Sequence, residues 1–306
     1  MHSPTSCSIR VPASSANLGP GFDSLGMALD LWMQVDITRL SDESGEIRVL
    51  NSEDLLGGGN LVVEAMQITA NLYARTLPAC ELSIRSDIPV ARGLGSSASA
   101  IVAGIHAAGF LLDIALESSD VVDIGGEMEG HADNISASEL GGVTVSFRAE
   151  HGWIAEVLAA ELPWTVVALV PDAPAFTSEA RGILPTAIPM PHATANIGRA
   201  AMLALALREG RGDLLRETTR DRLHQPYRAA IFPHLNPVID AALTAGALGA
   251  GLSGAGPTIL AVAEPADASA VAIAMEATAA EHGFAGRALP LAVAPGAQVE
   301  VHAAAR

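Results

Sequence analysis

The chain has 306 residues, half of them apolar, and a formal net charge of −17. That length admits two domains with sizeable cores, and the charge argues against nucleic acid and anionic membranes, both of which select clustered positive charge. All 17 basic residues are arginine, which excludes lysine Schiff-base chemistry, a Ser-x-x-Lys acylating enzyme and a Walker-type phosphate loop, and makes any oxyanion grip planar and bidentate.

The opening segment "MHSPTSCSIRVPASS" has no apolar stretch of the kind a secretory signal needs. Val11–Leu29, "VPASSANLGPGFDSLGMAL", is dense in small residues; its Asn17 and Asp23 could reach a polar substrate or form an Asx turn. "QVDITRL" (Gln34–Leu40) and "EIRVL" (Glu46–Leu50) alternate apolar and polar residues around the turn "SDESG", which predicts a hairpin. Asn60 is placed to cap a helix in which Leu61, Glu64, Ala65 and Ile68 recur. "ELSIR" (Glu81–Arg85) is a further strand, and Ser96–Leu116 a buried helix whose apolar run is too short to span a bilayer. The pattern restarts near Ala155, so the division expected is 1–155 and 156–306, with α+β character on both sides. In the second half "TVVALVP" (Thr165–Pro171) reads as a buried strand and Thr194–Glu209 as a helix with Gly210 past its end. "GAGLSGAGPTILAVAEP" reads as a glycine loop feeding a strand, and "DASAVAIAMEATAAEHG" as an amphipathic helix stopped by Gly283. Cys7 and Cys80 form neither a disulfide framework nor a metal-ligand spacing, which fits a reduced, cytoplasmic setting.

Chemistry concentrates at "RGLGSSAS", Arg92–Ser99. Gly93 and Gly95 permit positive φ and close approach of backbone amides, and Ser96 or Ser97 falls where an N-cap belongs. The first N–H groups of the following helix then point outward at the positive end of its dipole, a ready anion site. A plain capped helix after a tight turn explains this loop alone equally well. Three loops of small residues, this one, Val11–Leu29 and "GLSGAGPT" (Gly251–Thr258), favour one composite site. A serine hydrolase elbow is not satisfied: Gly-x-Ser-x-Gly requires glycine two residues after the serine, where Ser97 has Ser99 and Ser253 has Ala255.

At these residues the sequence resembles the GHMP kinases. "RGLGSSAS" is similar to that superfamily's phosphate loop and "GLSGAGPT" to its C-terminal glycine motif. "PASSANLGPGFDSLGMALDLW", "EGHADNISASELGG" (Glu129–Gly142), "FTSEARGILP" (Phe176–Pro185) and "DRLHQPYR" (Asp221–Arg228) resemble the homoserine kinase family within it. The resemblance implies an α+β, two-domain GHMP kinase fold, with a left-handed β-α-β crossover in an N-terminal, ATP-binding domain and a ferredoxin-like C-terminal domain. The reaction implied is ATP-dependent phosphorylation of the side-chain hydroxyl of L-homoserine, on the route to threonine. Another GHMP kinase acting on a different small alcohol, or a non-catalytic binding protein, are the competing readings.

The resemblance also implies roles for single residues. Arg92, Gly93, Leu94, Gly95, Ser96, Ser97, Ala98 and Ser99 would bind ATP, with Asn60 as an adenine contact or only a helix cap. Ser97 and Glu129 match the family's Mg2+ ligands, although Glu129 alone could be a solvated helix-end charge. Arg181 and Arg228 would fork the substrate carboxylate, and Asn17, Asp23, His131, Asn134 and Gly254 would complete the acceptor site. Asp23, Asp133 and Asn134 are the candidates for catalysis; Asp133 or Asp23 could accept a proton, yet the family works by positioning and charge neutralisation without a dedicated base. A homodimer is the assembly that the family commonly adopts.

Overall fold

The computed structural model describes residues 5–41, 44–50, 59–172 and 177–302. Asp42 and Glu43 of the expected turn, and Phe176 at the head of its motif, lie outside them. The chain runs β1 (Ser6–Ala16), β2 (Leu25–Arg39), β3 (Ile47–Val49), α1 (Leu61–Leu72), β4 (Cys80–Ser86), α2 (Ser96–Leu112), α3 (Ser118–Glu129), α4 (Asp133–Leu140), β5 (Val143–Ala149) and β6 (Gly152–Ala159). It continues through β7 (Thr165–Pro171), α5 (Thr177–Gly182), α6 (Met190–Glu209), α7 (Gly212–Thr218), α8 (Gln225–Arg228), α9 (Leu235–Thr244), β8 (Gly249–Leu252), β9 (Ile259–Ala263), α10 (Ala268–Glu281), β10 (Gly286–Leu291) and β11 (Gln298–His302).

The first sheet has seven strands, in the order β11-β1-β2-β4-β3, with β5 joined to β2 and β6 to β5. Strand β2 is long enough to pair twice on one side, through Leu25–Met27 with β5 and through Met33–Arg39 with β4. Here the expected hairpin fails. β3 does not pair with β2; β4 lies between them, antiparallel to β2 and parallel to β3. Alternation marks a strand but carries no information about its partner.

Helix α2 packs against this sheet and is buried along almost its whole length, with Ala98, Val102, Ala103, Ile105 and Ala107 fully inside. Its glycine and alanine content lets α1 come close: a Cβ on Gly104 would lie 2.3 Å from the Val62 carbonyl oxygen. The helix ends at Leu112, four residues before the expected Leu116, because Asp113 adopts a left-handed conformation (φ 54°) that stops it. The Asn60 cap is as expected, its Oδ1 accepting from the Val62 and Val63 amides, although the buried stripe of α1 is Val62, Ala65, Met66, Thr69 and Ala70, one position off the expected one.

The second sheet has four strands in the order β10-β7-β9-β8, all antiparallel. With helices between β7 and β8 and between β9 and β10, this is the β-α-β-β-α-β ferredoxin-like arrangement. Its core includes Val167, Leu169, Phe232, Val238, Ile259, Val271 and Met275. The expected α6 end at Glu209 and its left-handed Gly210 cap are present; the helix begins four residues earlier than expected, at Met190. Gly249–Leu252, read from sequence as loop, forms β8. The division expected near Ala155 falls inside β6; the two sheets part between Ala159 and Thr165, and β11 returns to pair with β1. Among the described residues, no helix is long and apolar enough to cross a membrane.

Candidate active site

The three small-residue loops meet at one place. The first spans the turn between β1 and β2, the second precedes α2, and the third links β8 to β9. The Ser14 amide donates to the Leu94 carbonyl (3.1 Å), the Gly254 amide to Ala16 (3.0 Å), and the Thr258 amide to Arg92 (3.3 Å). Ser253 Oγ donates to the Gly93 carbonyl at 2.5 Å and lies 2.8 Å from the Ser15 hydroxyl. A Cβ on Gly93 would sit 2.5 Å from the Ser253 carbonyl oxygen, and one on Gly95 only 2.1 Å from Ser14 Oγ. Both glycines have positive φ, 74° and 68°. Their lack of a side chain is what allows the loops to close on one another.

The N-cap of α2 is Gly95, in the left-handed region, and not Ser96 or Ser97 as expected. Among the described residues no side chain caps the helix, so its first-turn amides keep their donors unspent. Ser97 Oγ instead donates to Glu129 Oε1 at 2.5 Å. Glu129 is the last residue of α3, and its Oε2 is buried without a hydrogen-bond partner among the described residues. Burial lifts its carboxyl above the ordinary range, against the charge of His131 and the Ser97 hydrogen bond, which pull it down. An orphaned carboxylate oxygen beside a serine hydroxyl is an oxygen donor set that suits Mg2+.

Other residues of Arg92–Ser99 are engaged elsewhere. Arg92 spends its guanidinium on the carbonyls of Pro171 (2.8 Å), Val90 (2.6 Å) and Asp172, clipping the loop to the end of β7. Ser99 is fully buried and donates to the Pro12 and Gly95 carbonyls; Leu94 and Ala98 are buried too. Asn60 is occupied as the cap of α1.

The residues expected around the acceptor lie beside these loops, and a Cβ on Gly95 would come within 3.0 Å of Asn134 Nδ2. Asp23 (φ 53°) and Arg181 form a two-pronged ion pair at 2.8 and 3.3 Å. His131 Nδ1 meets the buried Asp133 Oδ1 at 2.7 Å, and the same oxygen accepts the Asn134 amide. Burial alone would depress the His131 imidazolium, but the Asp133 hydrogen bond and the Asp133 and Glu129 charges outweigh it and raise its pKa. Ligand atoms of Asp23, His131 and Asp133 lie within 4.8 Å of one another. Asn134 Nδ2 donates to Ser14 Oγ at 3.0 Å. Asn17 is nearly fully buried and structurally committed: its Nδ2 donates to the Gly254 carbonyl and its Oδ1 accepts the Asp23 amide.

Arg228 is 1% exposed and has no carboxylate partner among the described residues. Its guanidinium donates to the Ala180 and Gly254 carbonyls and to His224 Nδ1, and lies 5.7 Å from the centre of the Phe22 ring; Arg181 lies 5.8 Å from the same ring. Burial, then the nearby Arg181 charge, push Arg228 down to about 10. Sequence reasoning missed Ser14, Phe22, Asp221, His224 and Ser253. All five stand inside segments already singled out, and His224 precedes Arg228 by one helical turn, so position was the available signal.

Comparison with known proteins agrees with this geometry. Residues 60–142 match the GHMP kinases N terminal domain and residues 202–281 the GHMP kinases C terminal domain. A homoserine kinase of Desulfitobacterium hafniense is 38% identical over 93% of this chain and 96% of its own length, and one of Bacillus velezensis is 42% identical over 84% of each. The crystal structure of homoserine kinase from Cytophaga hutchinsonii superposes with a TM-score of 0.85 at 26% identity, covering 98% of both chains. A mevalonate kinase of L. major in complex with R-mevalonate shares the fold, with a TM-score of 0.72 at 17% identity over 96% of this chain and 98% of that one. The chain belongs to the homoserine kinase family of the GHMP kinases.

Proposed function

We propose that the protein transfers the γ-phosphoryl group of ATP to the side-chain hydroxyl of L-homoserine, giving ADP and O-phospho-L-homoserine for threonine biosynthesis. The single observation that carries the acceptor is Arg228. A buried guanidinium held, among the described residues, by neutral groups is a cation kept for a ligand anion, and the α-carboxylate of an amino acid fits it. Asp23 beside it supplies the counter-charge for an α-ammonium group. In the free protein Asp23 holds Arg181, so a zwitterion entering between them replaces one internal pair with two new ones.

On this reading the amides at the start of α2 receive the phosphates, with Ser96, Ser97 and Ala98 in the first turn. Ser97 and Glu129 would hold Mg2+, which when bound supplies charge neutralisation for phosphoryl transfer. Asn134 and His131 border the acceptor hydroxyl and are positioned by Ser14 and Asp133. Asp23 has both oxygens on Arg181, and Asp133 Oδ1 is shared by His131 and the Asn134 amide. Those engagements support a transfer driven by alignment rather than by a dedicated base.

We place the reaction in the cytoplasm, where the buried thiols of Cys7 and Cys80 stay reduced. Exposed Met190, Ile197, Met202 and Leu205 lie along one side of α6 and support a homodimer. The test of the function is ADP formation from ATP against homoserine, threonine, serine and mevalonate. Turnover with homoserine is the expected result; turnover only with an acceptor lacking the amino-acid head would overturn the reading.

A further inference from the structure

The imidazole of His224 is buried with no exposed surface, four residues before Arg228. Its Nδ1 lies 3.0 Å from Arg228 Nη1 and its Nε2 lies 2.8 Å from the Gly19 carbonyl oxygen. A guanidinium only donates and a carbonyl only accepts. Nδ1 must therefore accept and Nε2 must carry the proton, which fixes one neutral tautomer from partner chemistry alone. A doubly protonated ring would drive an N–H against the guanidinium.

Its surroundings keep the ring in place. Phe22 packs against it with ring centres 5.4 Å apart. The buried Asp221 lies 3.7 Å from Nε2, but its oxygens are taken by the amides of Leu223, His224 and Gln225 and by Asn196 Nδ2. Asp221 thus caps α8 instead of pairing with Arg228. The carbonyl that His224 holds belongs to Gly19, in the first-motif turn (φ 90°), where a Cβ would lie 2.2 Å from the Thr219 carbonyl oxygen. One ring therefore ties the turn carrying Asp23 to the arginine assigned to the ligand anion.

We propose that His224 is a positioning residue, a neutral acceptor that aims Arg228 at the substrate carboxylate without cancelling its charge. A carboxylate at this place would hold the guanidinium equally firmly but would neutralise the cation that the ligand needs. An uncharged acceptor avoids that competition. The inference rests on the acceptor reading given above and deepens it; it concerns how strongly the acceptor is held, not how phosphate is moved.

Three variants separate charge from packing. H224Q offers an amide N–H and a carbonyl oxygen in place of the two ring nitrogens, and its homoserine KM is expected within about threefold of wild type. H224E is expected to raise the homoserine KM at least about tenfold while the ATP KM stays near wild type, the loss that a displaced charge pair produces. H224F removes the acceptor and is expected to fall between them. Unfolding midpoints measured alongside report any purely structural damage, and a homoserine KM that follows stability across the set, or an unchanged KM in H224E, would overturn the proposal. The tautomer is read independently of any substrate by 15N NMR of the wild-type imidazole, its signal assigned by its absence from H224Q. A proton on Nε2 alone is expected and a proton on Nδ1 would refute the geometry. Wild-type protein that ignores homoserine would sink the acceptor assignment while leaving the NMR result to decide the tautomer.

Discussion

Replacing Gly95 by alanine asks directly whether the composite site depends on backbone closeness. Gly95 has φ 68°, where a side chain costs about 1–2 kcal/mol. Its Cβ would also fall 2.1 Å from Ser14 Oγ and 2.9 Å from the Ser14 carbonyl oxygen, and relieving such overpacking costs about 1–3 kcal/mol. Gly210 provides the control: its φ is 66°, but nothing lies within 4 Å of its missing Cβ. Gly210→Ala should therefore lower stability by about 1–2 kcal/mol with normal kinetics. Gly95→Ala should cost about 2–5 kcal/mol, and by pushing the start of α2 away from Ser14 it should lower kcat/KM for ATP at least about tenfold. Urea unfolding and a coupled ADP assay on both variants measure this. Equal stability loss in the two, with wild-type kinetics in Gly95→Ala, would refute the argument that Ser14 and the phosphate loop form one unit.

Three further outcomes are expected. Glu129→Gln should raise the Mg2+ concentration for half-maximal rate and lower kcat; an unaltered Mg2+ titration would remove Glu129 from the metal. Arg181→Ala should weaken homoserine by about 1–3 kcal/mol, below the range for a fully buried pair because Arg181 is partly exposed, and an unchanged homoserine KM would dismiss its role. His234 is fully buried against Phe232 and Phe284, and burial pushes its pKa down to about 4 from an unfolded value near 6.5. The unfolded chain then takes up the proton first, so stability is full above pH 6.5 and falls by about 2–3 kcal/mol as pH drops through 4. Urea midpoints between pH 7 and 4 should show that slope in wild type and lose it in His234→Leu; an identical slope in both would assign it elsewhere.

The loops that build the site were legible because each needs glycine or small residues at fixed places, and those residues stand out in a sequence. Their meeting was argued only from their number, whereas the contacts that join them run from backbone to backbone, such as Ser14 to Leu94 and Gly254 to Ala16. Local pattern also failed where the partner was distant: Ile47–Val49 reads as the second arm of a hairpin, yet it lies beyond β4. β1 was hidden because "PASSA" has none of the β-branched alternation that marks strands, its small residues serving close approach instead. Arg92 shows the same limit in a side chain. Its place in the loop before α2 suggested a phosphate contact, whereas its guanidinium is taken by three carbonyls, and two of them, on Pro171 and Asp172, belong to residues some eighty positions away.

The most direct measurement is a crystal structure of the protein with a non-hydrolysable ATP analogue, Mg2+ and homoserine. The expected result has the β- and γ-phosphates on the amides of Ser96, Ser97 and Ala98, Glu129 on the metal, and the homoserine carboxylate on Arg228. Phosphates bound away from that helix start, or an Arg228 still without an anion, would contradict the account.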